Sequence, residues 1–134
     1  SFFSKDVEKI ISNAIMRAKW PQDPNGIYVV FTAKDVAETS SNGAFCKDYC
    51  GYHGTTSGTG LKLAMIGDST RCPGTLPSPG KDKGTPGCLQ RYYRNQTDST
   101  YSINKDQSAD SMVDVLAHEL SEVYTDLYQR LLTI

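Results

Sequence analysis

Apolar residues return every third or fourth position near both ends of the chain, and they run almost without interruption through two short segments between. Near the start, Val7, Ile10, Ile11, Ala14, Ile15 and Ala18 fall on one helical stripe. Ser4 stands where an N-cap belongs, and Asp6 and Glu8 occupy the first turn, where the helix dipole favours acids. Trp20-Pro21 stops this helix, because proline keeps the residue before it out of helical geometry. Asp23-Pro24-Asn25-Gly26 then reads as a turn. Ile27 to Thr32 is β-branched and aromatic, which predicts a strand buried on both faces. Leu61 to Ile66 predicts a second strand, with Lys62 marking a partly open face. Asp35 to Gly60 is rich in Ser, Thr and Gly and reads mostly as loop. Cys72 to Gly87, with its prolines and glycines, reads as the least structured part, and 91–94 and 100–103 as weak strand or loop. Met112, Val113, Leu116, Leu120, Val123, Leu127 and Leu131 follow at helical spacing and predict a long final helix capped by Ser108 or Asp110. No repeat or linker divides the chain, so the pattern gives a single α+β domain over 1–134. A small mixed β-sheet is packed by an N-terminal helix and a long C-terminal helix.

Composition narrows what such a domain can do. Fourteen Lys and Arg face fifteen Asp and Glu, a net charge of −1. That balance supplies no field for sequence-blind nucleic-acid binding. The apolar runs fall far short of the ~20 residues that span a bilayer. Ser1-Phe2-Phe3-Ser4-Lys5 lacks the charged and apolar regions of a signal peptide, which fits a mature or excised product. Cys46, Cys50, Cys72 and Cys88 form an even set, which reads as two disulfides, with zinc ligation or free thiols as the alternative. Pairing in sequence order, Cys46 with Cys50 and Cys72 with Cys88, closes the shortest loops. Asn95-Gln96-Thr97 is a glycosylation sequon and adds to an extracellular expectation.

The chemistry-bearing pattern sits on the final helix. His118-Glu119-Leu120-Ser121-Glu122 has the form H-E-x-x-E. In H-E-x-x-H, ligands at i and i+4 share a helix face and hold one zinc, while the intervening Glu acts as general base. Here Glu122 takes the second ligand position, and a carboxylate is a legitimate zinc ligand. Asp126 lies only about 80° further round the helix, so His118, Glu122 and Asp126 form an inclined row set away from the apolar stripe. A polar row is also what any amphipathic helix presents to water. His53 is the other histidine, and His53 with His118 and Glu122 would give the His₂Glu composition of some zinc hydrolases. The alternative for His53 is a loop histidine bonded to backbone. Serine elbows and phosphate loops do not occur at the required spacings. The eight tyrosines suit a stacking surface or ordinary core equally well.

Four segments in order resemble one family. Asp23 to Val36 is similar to the "NGIYLVLT..DV" strand of the phosphate-induced protein 1 family, also called Exordium-like proteins. Phe45 to Gly54 resembles its "FCxxxCGxHG" segment, and Cys72-Pro73-Gly74 its "CPGxC" element, with Cys88 as the displaced second cysteine. Ser111 to Glu122 resembles its "MVxVxAHELAE" helix, followed by Thr125-Asp126. The match covers most of this chain and the central part of a typical member. The resemblance implies a secreted, extracellular protein of the apoplast or cell wall, linked to growth and carbon status. The family commonly continues beyond Asp126 with a proline and a cysteine-containing region, whereas here Leu127 to Leu132 continue the helical pattern, so the resemblance implies either a short relative or a second fragment that completes it.

Two functional expectations follow. One is a zinc-dependent metallohydrolase, peptidase-like, with His118 and Glu122 as ligands, His53 or Asp126 as the third, and Glu119 as general base. The final helix would then lie on the sheet as in zincins, an analogy of fold only. The other is a non-catalytic extracellular module that binds a protein or peptide in growth signalling or host interaction.

Overall fold

The structure is a computed structural model and describes residues 2–72, 88 and 102–125. In chain order it contains β1 (Phe2–Phe3), α1 (Ser4–Ala18), β2 (Ile27–Phe31), β3 (Glu38–Ser40), β4 (Gly43–Ala44), β5 (Gly51–Thr55), β6 (Lys62–Ile66), a 3-10 turn at Ser69–Arg71 and α2 (Gln107–Thr125). The strands make two small mixed sheets, ordered β1-β3-β4 and β2-β6-β5. In the larger one β6 runs parallel to β2 and antiparallel to β5. The α+β class read from the sequence is the class observed, with one helix at each end.

The first helix forms as its spacing dictates. Val7, Ile11 and Ile15 are buried against the core, while Ile10 lies at the edge of the stripe and is exposed. Its stop is sharper than the proline alone requires. Lys19 takes the left-handed conformation (φ 54°), with Lys19 N–H bonded to Met16 O and Trp20 N–H to Ile15 O. These two bonds satisfy carbonyls that the helix end would otherwise leave bare.

Three local expectations are corrected. First, β2 is an edge strand, with Phe31 exposed, and β6 is the strand buried from Leu63 through Ile66. Continuous apolarity gives strand type but not position in the sheet. Lys62 at the start of β6 donates from Nζ to Pro24 O at 2.8 Å. Second, the Asp35 to Gly60 segment contains β3, β4 and β5; the first two are too short to show any periodicity. Third, α2 begins at Gln107 and is capped by Asp106, whose Oδ1 accepts from Ala109 N–H at 3.0 Å. Asp110 instead braces the preceding turn, accepting from the Ser102 hydroxyl and from Asn104 N–H.

The disulfides also depart from the shortest-loop pairing. Cys46 bonds Cys72 and Cys50 bonds Cys88, with Cα–Cα distances of 5.1 and 5.2 Å. Cys46 (φ 73°) and Cys50 flank a tight turn, and each reaches a different part of the chain. Short loops lose least entropy in the unfolded chain, but the folded geometry decides which sulfurs meet. The crossed pair closes loops of 26 and 38 residues, worth about 3.5 and 4 kcal/mol taken singly. Among the described residues no helix is long and apolar enough to cross a membrane. The expected segments at 91–94 and beyond Thr125, Asn95 and Asp126 among them, lie outside the described residues.

Candidate metal centre

The centre is built where α2 crosses β5 and β6. Side chains alternate across a strand, so Tyr52 and His53 of β5 point to opposite faces. His53 points to α2. Tyr52 points away from it and meets Tyr49 edge-on, with ring centroids 5.8 Å apart. Gly51 makes the approach of α2 possible. A methyl group there would stand 2.6 Å from Val115 Cγ1, 2.8 Å from Met65 O and 3.3 Å from Glu119 Oε1.

α2 turns an unexpected face inward. Its buried row is Ser111, Val115, Glu119 and Val123, with Met112 and Leu116 packed partly against the core and Val113 exposed. The row is rotated from the stripe that hydrophobicity marks, and this brings Glu119 to zero exposure. The polar row expected to stand clear of the core therefore borders it directly. A buried carboxylate needs a partner, and His53 provides one: Nδ1 lies 2.8 Å from Glu119 Oε2. Burial pushes the Glu119 carboxyl above its usual range, opposed by the His53 hydrogen bond.

Glu122 lies one turn on, with Oε2 3.4 Å from His53 Nδ1 and Oε1 3.1 Å from His118 Nε2. His53, Glu119 and Glu122 each place a ligand atom within 4.8 Å of the others. His118 forms the solvent-facing rim, its side chain 41% exposed. Three buried polar atoms in this cluster lack hydrogen-bond partners: His53 Nε2, Glu119 Oε1 and Glu122 Oε2. Native proteins rarely leave such atoms unsatisfied.

The donor set, one imidazole and two carboxylates, is of a kind that zinc takes. Ligand bonds of about 2.0–2.2 Å in a tetrahedron put neighbouring ligand atoms about 3.4 Å apart. The His53–Glu122 separation already has that value, and the His53–Glu119 separation is a hydrogen bond that would open by about half an ångström. Of the residues singled out from the sequence, His53, Glu119 and Glu122 come together, His118 joins through Glu122, and Asp126 lies outside the described residues. Gly51 is the member that sequence reading missed; its place two residues before His53 was the available signal.

A two-disulfide α+β domain with a histidine–carboxylate cluster between a helix and a sheet edge defines the class. The model of the phosphate-induced protein 1 conserved region matches residues 1–130, and the chain belongs to that family. It is 30% identical over 131 residues to Protein EXORDIUM-like 5 of Arabidopsis thaliana, covering 90% of this chain and 32% of the relative. It is 30% identical over 129 residues to Protein EXORDIUM-like 3 of the same plant, covering 90% of this chain and 34% of the relative. The chain thus spans about a third of the length of these curated relatives. No solved structure matches it.

Proposed function

We propose that this chain is the metal-bearing core of an extracellular Exordium-like protein, and that His53, Glu119 and Glu122 hold a zinc ion used in peptide hydrolysis. The observation that carries the reading is the convergence of those three side chains, with one buried oxygen of each carboxylate left unsatisfied. Two crossed disulfides and no free cysteine support an oxidising compartment. When bound, zinc would supply Lewis-acid polarisation of a carbonyl and of the attacking water.

Burial favours a different division of labour from the one the motif suggests. Glu119 is closed to solvent, so it serves as a ligand carboxylate and not as a base that meets substrate. His118 stands at the open rim beside Glu122 and is the group placed to move a proton to or from a substrate. Glu122, about a third exposed, links the closed and open halves of the site. Three protein ligands with an open side is the arrangement of catalytic rather than structural zinc.

The test uses the oxidised, purified chain with and without one equivalent of zinc, against a mixed fluorogenic peptide pool. Zinc-dependent cleavage should fall at least 100-fold in Glu122→Gln and His118→Asn, both with native circular dichroism. Stoichiometric zinc with no cleavage of any peptide removes the hydrolase reading and leaves the binding-module reading.

A further inference from the structure

The apolar stripe that α2 leaves unburied has a matching surface beside it. Cross-strand partners share one face of a sheet, and the register pairs Val29 with Ala64 and Ala64 with His53. Val29 therefore lies on the α2 side, and Ile27 and Phe31 share that side with it. α2 rests on β5 and β6, with Val115 beside Gly51 and Glu119 beside His53, so it runs along the direction of β5. Glu119 and Glu122 leave the helix toward β5. At ~100° per residue, Leu116, Leu120 and Tyr124 leave it on the other flank, toward β6 and β2. Four helical residues rise about 6 Å and two strand residues about 6.6 Å, so Leu116, Leu120 and Tyr124 step level with Phe31, Val29 and Ile27. The helix row is the wall of a trough and the strand row is its floor.

The trough is open. Phe31 is 53% exposed, Tyr124 80% and Val113, on the outer side of the same helix, 63%. Strands lie about 4.8 Å apart, so a helix packed about 10 Å beside α2 comes to rest over β2. The outer ridge of α2, formed by Val113, Ala117 and Tyr124, has the apolar character such a helix needs. Each molecule thus carries both a trough and the ridge that fits one. We propose that two copies of this chain pair through this face, the α2 ridge of each lying in the β2 trough of the other. A two-fold axis makes the contact twice with the same residues and leaves neither half unfilled. β2 and the ridge carry no charged side chain, so two copies of equal charge meet there without repulsion. Lys62, at the end of the trough, is held by Pro24 O at 2.8 Å. The open parts of these side chains amount to roughly 500 Å² per copy, so the pair buries about 1,000 Å², the lower bound of a specific interface. His118 and Glu122 stand on the opposite flank of α2, so pairing leaves the metal centre open.

The experiment is sedimentation equilibrium of the intact, oxidised chain with chelator present, which keeps the result independent of zinc. From about 1 µM to about 1 mM the mass should rise from one chain to two, as a small interface requires. Phe31→Lys and Val113→Glu change exposed positions and should keep the native circular dichroism, and each should raise the dissociation constant at least about tenfold. An equal mixture of the two variants should pair more tightly than either alone. There the new ammonium meets the new carboxylate in one contact, and the other contact is unchanged. A chain that stays monomeric throughout overturns the proposal and leaves this face to a different partner. A dimer that both variants leave intact, or a mixture no tighter than its components, overturns it equally.

Discussion

Replacing Gly51 by alanine tests how closely α2 rests on β5. The backbone of Gly51 lies outside the left-handed region, so alanine meets no conformational penalty and the whole effect is steric. The new methyl would stand 2.8 Å from Met65 O and 2.6 Å from Val115 Cγ1. Val115 can shift with its helix, but Met65 O belongs to the central strand and has no rotamer to change. Overpacking of a close-packed core costs about 1–3 kcal/mol, and a backbone neighbour places this case near about 3. For a domain of this size that lowers Tm by roughly 10 °C. Because α2 must lift away, Glu119 moves from His53, and zinc affinity should fall together with stability. Urea denaturation and zinc titration of the same sample read both effects. A loss under about 0.5 kcal/mol with unchanged zinc affinity would refute the described packing.

Four further outcomes follow from other parts of the molecule. Lys19→Gly should stabilise the chain by about 0.5–1 kcal/mol in thermal melts, since Lys19 holds a left-handed conformation that glycine adopts freely. Zinc affinity should weaken on acidification at a pH above the ordinary carboxylate range, because burial raises the Glu119 carboxyl and the metal needs it ionised; calorimetric titrations from pH 8 to 5 check this. Asp110→Asn should destabilise the chain at neutral pH, and the loss should shrink as pH falls below the ordinary carboxylate range. The Ser102 hydroxyl and Asn104 hold that carboxyl below its usual range, so its contribution is present above the unfolded value and lost as pH falls through the folded one. Joint replacement of Cys50 and Cys88 by alanine should cost about 2–5 kcal/mol in urea, and peptide mapping of the wild type should yield the Cys46–Cys72 and Cys50–Cys88 pairs.

The parts legible in the sequence are those where one physical rule acts alone. α1 buries Val7, Ile11 and Ile15 as its spacing demands, and β2 and β6 lie where β-branched and apolar runs place them. The inward face of α2 was hidden because hydrophobicity places glutamate outside. Glu119 is inside because His53 receives it and Gly51 leaves room. The site is thus the place where the hydrophobic pattern misleads, as is common where function overrides packing. The cysteine pairing was hidden for another reason. It depends on where β5 and the 3-10 turn bring distant segments, and no count of intervening residues contains that.

The central claim is that His53, Glu119 and Glu122 form one zinc centre. X-ray absorption on the oxidised chain loaded with a single equivalent of zinc tests it most directly. The account predicts stoichiometric binding with a shell of nitrogen and oxygen only, lost in His53→Ala, since all four cysteine sulfurs are engaged in disulfides. Zinc that fails to bind stoichiometrically, or that binds with a sulfur ligand, contradicts it.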